Sequence, residues 1–183
     1  MNGCRKALDQ GRYTWRHDGI LNYIANCLDK KNFDCYVDID GHQYSGGTLP
    51  SDIIVSTLKP DIVIVDNKKK DVHIFDLTVP GESRIHEAHR IKTEKYQHFQ
   101  SDIQSHRVTV LPFEIGSHTG FISRENVNRL NILHKFCTKG IKFKQFTKNI
   151  SSITVISSYF IFNCRNETEW GKSNFVLSPF PNQ

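Results

Sequence analysis

Hydrophobic and polar positions in the first part of the chain predict one amphipathic helix and one short strand. Between Tyr13 and Lys31, apolar side chains recur every three or four residues, which places them on one face of a helix. Residues 33 to 38 alternate apolar and polar side chains, the pattern of a strand. Residues 41 to 50 contain two adjacent glycines and a proline, which indicate a loop.

Two apolar runs on either side of a charged turn form the clearest pattern in the chain. Residues 61 to 66 and 72 to 79 are rich in valine and isoleucine, and residues 67 to 71 between them are all charged or polar. This arrangement is typical of a β-hairpin. Each predicted strand also brings one acidic side chain into a run that is otherwise almost wholly apolar, Asp61 in the first and Asp76 in the second.

The remaining pattern predicts three more helices and one more strand. Helical periodicity covers residues 82 to 103, 124 to 139 and 146 to 163, and an apolar run at 108 to 115 indicates a strand. The residues after 170 are predicted to be extended or frayed. Helices that alternate with strands in this order predict an α/β or α+β protein, with a small central sheet covered by helices.

Composition narrows the class of protein without defining its activity. The chain has 183 residues, 38% of them hydrophobic, and a net charge of +5, which fits one domain with a mild basic excess. Its five cysteines are scattered with no CxxC pair, so neither a disulfide framework nor a zinc site is predicted. No apolar segment is long enough to span a membrane and no signal peptide is evident. We therefore expect a soluble, intracellular protein with no membrane partner.

The acidic residues of the hairpin are the first candidates for chemistry. A buried carboxylate is costly unless it is paired or binds a metal ion, and two carboxylates on neighbouring strands suit a hard divalent cation such as Mg²⁺. Asp61 and Asp76 are therefore predicted metal ligands, and the working hypothesis is a metal-dependent nuclease. Asp66 and Asp71 are interpreted as residues that flank the turn.

The helix predicted after the hairpin has lysines on its apolar face. Lys92 falls near the centre of this stripe and Lys95 at its edge, and the stripe consists of Ile85, Ala88, Tyr96, Phe99 and Ile103. A lysine in such a stripe either extends past its neighbours to solvent or points into a polar pocket. The acids upstream favour the pocket for Lys92, and both interpretations stay open for Lys95. A lysine beside two metal-binding carboxylates would stabilise the charge that develops in phosphodiester hydrolysis.

The acids and lysines together resemble a known nuclease family. Pro60 and Asp61, with Asp76 fifteen residues later, resemble the PD-(D/E)xK nucleases of restriction-endonuclease-like fold, although Thr78 stands where the usual lysine would be. In one branch, the endonuclease domain of site-specific non-LTR retrotransposons, the lysine comes from the following helix. Further segments resemble that domain in the same order: residues 13–18, 59–61, 76–80, 92–96, 111–117 and 158–162, then Arg165 and Trp170.

The resemblance implies both a domain organisation and an activity. It covers residues 11 to 171, which leaves an N-terminal extension at 1–10 and a C-terminal tail at 172–183. It implies an enzyme that nicks target DNA with Mg²⁺, for which Mn²⁺ would substitute, and so exposes a 3′ end for target-primed reverse transcription. Asp61, Asp76, Lys92 and Lys95 would be the catalytic residues. Location in the nucleus is implied by the family alone.

The reverse transcriptase and the zinc knuckle of such elements are not found in this sequence. We therefore expect a fragment or a degenerate copy whose main partner is DNA. Its further partners would be a reverse transcriptase and the element RNA, which a separate or parent polypeptide would supply. Two alternatives are kept open. The domain is an inactive DNA-binding or structural remnant, or it is an unrelated α/β domain whose acids only cap strands and turns.

Further residues are weaker candidates for the same site. Arg16 and His17 would contact a phosphate or orient an active-site group, or else form a surface network. Glu114 would join the acidic cluster or pair with an arginine, and Tyr96 is a further accessory candidate. Four basic residues are predicted to contact the DNA backbone: Lys68, Lys69, Lys70 and Arg84. The alternative is that these side chains are only exposed to solvent.

Overall fold

The protein is a mixed α/β structure in which helices cover a four-stranded sheet. The computed structural model describes residues 4–39, 59–96 and 106–170. Its helices and strands are α1 (Arg5–Asp9), α2 (Arg12–Cys27), β1 (Asp34–Val37), β2 (Ile62–Asp66), β3 (Asp71–Thr78), α3 (Ile85–Lys95), β4 (Arg107–Glu114), α4 (Arg124–His134) and α5 (Phe143–Asn163). Short 3₁₀ turns occupy Glu82–Arg84 and Cys164–Asn166.

The sheet is mixed, with strand order β1-β2-β3-β4. The predicted hairpin is confirmed, because β2 and β3 pair antiparallel from Ile62 opposite Phe75 to Asp66 opposite Asp71. Strand β1 adds antiparallel to the outer edge of β2. Strand β4 pairs parallel to β3, and α3 lies in the connection between them, since parallel neighbours need a crossover.

The two faces of the sheet have different coverings. Side chains such as Ile62, Ile64 and Phe75 face one large core, which they share with apolar residues of α2, α4 and α5. The opposite face carries Val63, Val65, Val72 and Ile74, and Tyr96 at the end of α3 packs on it. Because side chains alternate along a strand, each residue of the hairpin belongs clearly to one face or the other.

Helices α2 and α5 pack together on the large-core face. The ring of Tyr23 lies 5.8 Å from that of Phe146, and the Tyr23 hydroxyl accepts a hydrogen bond of 3.1 Å from Asn149. Helix α5 has 21 residues. In the described part of the chain, no helix combines the length and the apolar character that a membrane span requires.

Several predicted boundaries were wrong by a few residues. The first helix ends at Cys27 rather than Lys31, because Leu28 is extended and forms a β-bridge with Cys137. The same bridge ends the helix predicted over 124–139, and α4 stops at His134. The predicted loop at 41–50, the end of the helix predicted over 82–103 and the tail at 172–183 lie outside the described residues.

The segment at 1–10, predicted only as an extension, contains α1. Two of its side chains contact the last described residues of the chain, since Lys6 Nζ donates to the carbonyl of Asn166 and Gln10 Nε2 donates to that of Thr168 at 2.9 Å. Gly11 separates α1 from α2 with a left-handed backbone (φ +66°), a conformation that glycine adopts at little cost.

Candidate active site

The hairpin brings the two predicted acids together. Continuing the β2–β3 register one step beyond Ile62 and Phe75 places Asp61 opposite Asp76, and both belong to the face that carries Val63 and Ile74. Directly opposed residues on antiparallel strands have Cβ atoms about 5 Å apart. Two carboxylates at this spacing repel each other, so the site requires positive charge.

Helix α3 supplies that positive charge to Asp76. The Asp76 side chain is 1% exposed, and its Oδ2 forms an ion pair with Lys92 Nζ. The Tyr96 hydroxyl donates to Oδ1 at 2.6 Å, and Lys95 Nζ lies 4.0 Å from the same oxygen. Burial, followed by the charge of Asp61, raises the pKa of Asp76 although Lys92 acts to lower it. Of the two conformations expected for Lys92, the structure has the one directed at a carboxylate.

Lys95 and Tyr96 form a second layer of contacts at Asp76. Lys95 Nζ donates to the Tyr96 hydroxyl at 2.9 Å and lies 4.6 Å from the centre of the Tyr96 ring. Burial, together with Asp76, raises the pKa of Tyr96, so the phenol stays protonated and keeps donating to the carboxylate. Lys95 therefore reaches Asp76 directly only at long range and reaches it through Tyr96 at short range.

Asp61 is held by the neighbouring strand and by α2. Its Oδ2 accepts a hydrogen bond of 2.6 Å from the Leu77 backbone N–H and lies 3.2 Å from His17 Nε2. Burial acts to lower the pKa of His17, but hydrogen bonds to Asp18 and Asp61 raise it to about 9. His17 is therefore protonated at neutral pH and offsets the charge of Asp61.

Arg16 lies one residue away but has a different environment. Its side chain is buried, and its guanidinium donates to Ser158 Oγ at 2.9 Å and to the Val79 carbonyl at 3.0 Å. Burial lowers the pKa of Arg16 to about 10. These contacts tie α2 to α5 and to the residue after β3, so Arg16 orients the end of the strand that carries Asp76.

Glu114 lies on the same face of the sheet but pairs elsewhere. It is opposite Thr78 in the β3–β4 register, and its carboxylate is 3.0 Å from His89 Nδ1 and accepts a hydrogen bond from Asn126 Nδ2 at 3.1 Å. Arg129 lies 3.9 Å away. Of the two outcomes predicted for Glu114, the structure shows the pairing with basic groups rather than membership of the acidic cluster.

The sequence alone did not assign His89, Asn126 and Arg129 to this region. The sequence did contain one indication for His89. His89, Lys92 and Tyr96 are spaced three and four residues apart, so they share one face of α3. The contributions of Asn126 and Arg129 come from α4 and depend on tertiary packing, for which the local sequence gives no indication.

A cavity of about 250 Å³ opens beside Lys92. It lies between the end of β3 and α3, and its lining includes Thr78, Arg84, Ile91 and Lys92. The Thr78 hydroxyl is buried and has no hydrogen-bond partner among the described residues. The ion-paired Lys92 thus borders both Asp76 and a space open to a ligand.

The basic residues predicted to contact DNA lie at two ends of the molecule. Arg84 is beside the cavity, where its Nε donates to Glu87. Lys68, Lys69 and Lys70 form the exposed tip of the hairpin, five residues of strand away from the acids, which corresponds to about 17 Å. The four residues therefore do not form one surface.

The acids fit a divalent cation through their charge and donor chemistry. Two carboxylates face each other on neighbouring strands, and Asp76 Oδ2 has no hydrogen-bond donor among the described residues apart from its ion pair with Lys92. Oxygen ligands of this kind suit Mg²⁺, which takes one or two carboxylates and retains waters. No group of three or more potential ligands occurs in the ranges that the structure describes, so Asp61 and Asp76 would be the only side-chain ligands there.

Compared with known proteins, the chain matches no protein-family model and no curated sequence.

Proposed function

We propose that the chain is a Mg²⁺-dependent DNA endonuclease domain of restriction-endonuclease-like fold and retrotransposon origin. One observation carries the proposal: Asp61 and Asp76 are opposed on a hairpin, and Lys92 reaches Asp76 from the helix that follows. The resemblance of the sequence to the endonuclease domain of non-LTR retrotransposons supports the same assignment. The substrate would be target DNA, nicked to expose a 3′ end for reverse transcription.

In this proposal Asp61 and Asp76 hold the metal ion, and Mn²⁺ substitutes for Mg²⁺. The ion would neutralise charge on the scissile phosphate and lower the pKa of a bound water. The structure supports this assignment because burial and Asp61 both raise the pKa of Asp76, which is the response expected where an added cation is favourable.

The lysines and His17 are proposed to supply the remaining positive charge. Lys92 borders the cavity and Asp76 together, so its ammonium can stabilise an oxyanion bound beside the acids. Lys95 and Tyr96 hold Asp76 in position. Protonated His17 holds Asp61 from α2 and is a positioning residue in this scheme.

Nicking of supercoiled plasmid by the full chain tests the proposal. The wild-type chain is expected to convert supercoiled DNA to the open circle with Mg²⁺ or Mn²⁺ and not with EDTA. The isosteric variants Asp61→Asn and Asp76→Asn should lose this activity by about a hundredfold or more, while circular dichroism shows the fold intact. The matched control is Asp34→Asn, which changes an exposed carboxylate on β1. Cleavage that survives both active-site substitutions would exclude the assignment.

A second candidate function is a DNA-binding or structural remnant without catalysis. The observation in its favour is that the Lys92 ion pair already neutralises Asp76, so the carboxylate needs no metal ion for its charge to be satisfied. Metal-independent DNA binding that falls with salt, together with absence of nicking by wild type, would select this candidate over the enzyme.

A further inference from the structure

A second cavity, far from the acids, is lined by lysines. Its volume is about 390 Å³, and it lies between the hairpin tip, the residues after α2 and the connection from α4 to α5. Its lining contains four lysines, one aromatic ring and two carboxylates: Lys68, Lys69, Lys135, Lys139, Phe33, Asp29 and Asp66. This set, called the lysine cavity below, is separate from the candidate active site.

The position of the lysine cavity excludes contact with Asp61 and Asp76. Asp66 belongs to the sheet face of Ile62 and Ile64, because these residues alternate along β2, whereas the acids face the other side. The hairpin tip is also about 17 Å along the strands from Asp76. A ligand in the lysine cavity would therefore bind without touching the metal ligands.

The carboxylates in the lysine cavity are already engaged. Asp66 accepts backbone hydrogen bonds from Lys68 and Lys69 at 3.1 and 3.2 Å and forms an ion pair with Lys69 Nζ at 3.2 Å. Asp29 accepts hydrogen bonds from the Asn32 side chain at 2.7 Å and from the Lys31 N–H. Neither carboxylate forms an ion pair with the other lysines of the cavity within the described ranges.

Three ammonium groups of the lysine cavity thus have no carboxylate partner in the part of the chain that the structure describes. Among the described residues, Lys68, Lys135 and Lys139 form no ion pair, and all three are exposed. They approach the space from two sides, the hairpin tip and the segment after α4. Several unpaired cations around one concave space attract a ligand with several negative charges.

The frame of the lysine cavity is fixed by backbone hydrogen bonds. The N–H of Asp29 donates to the Phe136 carbonyl at 2.8 Å, and the N–H of Thr138 donates to the Cys27 carbonyl at 2.9 Å. These bonds join the end of α2 to the segment that carries Lys135 and Lys139. The Phe33 ring packs edge-on against Phe136 at 5.0 Å and adds an aromatic surface to the cavity.

We infer that the lysine cavity binds the phosphate backbone of a nucleic acid strand, independently of metal and of the acid pair. Lysines on two sides provide contacts to successive phosphates, and the partly exposed Phe33 provides a surface against which a base can stack. This combination of cations and an aromatic ring is typical of proteins that bind nucleic acid strands.

Fluorescence anisotropy tests the inference with the full chain, in EDTA, on a labelled single-stranded oligonucleotide of about 16 nucleotides. The test variant is Lys135→Gln with Lys139→Gln. The matched control removes two exposed lysines of α5, Lys144→Gln with Lys148→Gln. Losing two phosphate contacts should make the negative slope of log affinity against log salt less steep by about 1.4. If the two proteins bind equally at about 1 M salt, the variant should bind roughly 25-fold more weakly at about 0.1 M salt. The control should change affinity less than about twofold.

Each outcome of these binding experiments either supports or overturns the inferred nucleic-acid site. Selective loss in the Lys135 and Lys139 variant, repeated in part by Lys68→Gln, supports the site. Equal loss in the test and control variants would overturn it, because binding would then follow net charge alone. Binding of inositol hexaphosphate with none of the oligonucleotide would also overturn it, because the cavity would then be selective for a small polyphosphate.

The same variants separate this inference from the proposed function. If wild type binds through the lysine cavity and fails to nick plasmid, the proposed enzyme is wrong and the inference stands. If wild type nicks plasmid and the lysine variant binds like its control, the inference is wrong and the enzyme stands.

Discussion

Replacing Lys92 by methionine tests the electrostatics of the acid pair. Lys92→Met keeps most of the side-chain volume but removes the cation from Asp76, which is 1% exposed. Breaking a buried ion pair from one side costs about 3–5 kcal/mol. The Lys92 side chain is 24% exposed, and Lys95 and Tyr96 still contact Asp76, so we expect a loss of about 2 kcal/mol in the free energy of unfolding.

The sign of the pH dependence follows from the pKa of Asp76. Burial and Asp61 raise this pKa in the folded protein, and Lys92 opposes them, so losing Lys92 raises it further. Above that pKa the folded variant contains a buried carboxylate that has lost its ion pair with Lys92. As the pH falls through it, Asp76 takes up a proton and the difference between variant and wild type should shrink.

Urea unfolding at about pH 8 and at about pH 4 measures both effects. The matched control is Lys148→Met, which removes an exposed lysine on α5 and should cost less than about 0.5 kcal/mol. If Asp61 and Asp76 hold Mg²⁺, a free concentration one hundred times the Kd should restore about 2.7 kcal/mol to the variant. A Lys92→Met penalty below about 0.5 kcal/mol, or one equal at both pH values, would show that Lys92 does not neutralise Asp76.

Three further predictions concern the surroundings of the site. The pKa of His17 is raised from 6.5 to about 9, so its contribution to stability is complete below about pH 6.5 and is lost as the pH rises to about 9. In thermal unfolding, the wild type should lose stability over this pH range and His17→Gln should not. Gly116→Ala would place a Cβ 2.7 Å from Glu82 Oε1. The flexible Glu82 side chain would move away and lose its hydrogen bonds from the His118 and Thr119 N–H groups, so urea unfolding should show a loss of about 1 kcal/mol. Gly81→Ala, with its nearest contact at 4.0 Å, should be nearly neutral. Arg16→Met would remove the guanidinium that donates to the Val79 carbonyl and should lower the free energy of unfolding by about 2 kcal/mol. An effect smaller than that of Gly81→Ala would show that Arg16 does not hold the end of β3.

Local patterns predicted the elements that hold the acids. Valine-rich runs around a polar turn define a hairpin without any tertiary information, and two-residue alternation then assigns Asp61 and Asp76 to one face. The 3.6-residue period likewise placed Lys92 and Tyr96 on the buried side of α3, where the structure has them.

Contacts between distant segments could not be predicted in the same way. The parallel pairing of β3 with β4 and the attachment of β1 to β2 depend on how helices cover the sheet. The partners of Glu114 come from α3 and α4, and the lysine cavity joins residues more than sixty positions apart. Helix ends were misplaced for the same reason, because a β-bridge between Leu28 and Cys137 competes with helical periodicity on both sides.

The central claim is that Asp61 and Asp76 hold a divalent cation that the proposed nuclease needs. A crystal structure of the full chain soaked in Mn²⁺, with data collected at the manganese absorption edge, tests it most directly. If the two acids hold the cation, an anomalous peak is expected between the two carboxylates, within coordination distance of at least one oxygen of each. Lys92 bound to Asp76 with no anomalous density between the acids, or manganese bound only elsewhere, would contradict it.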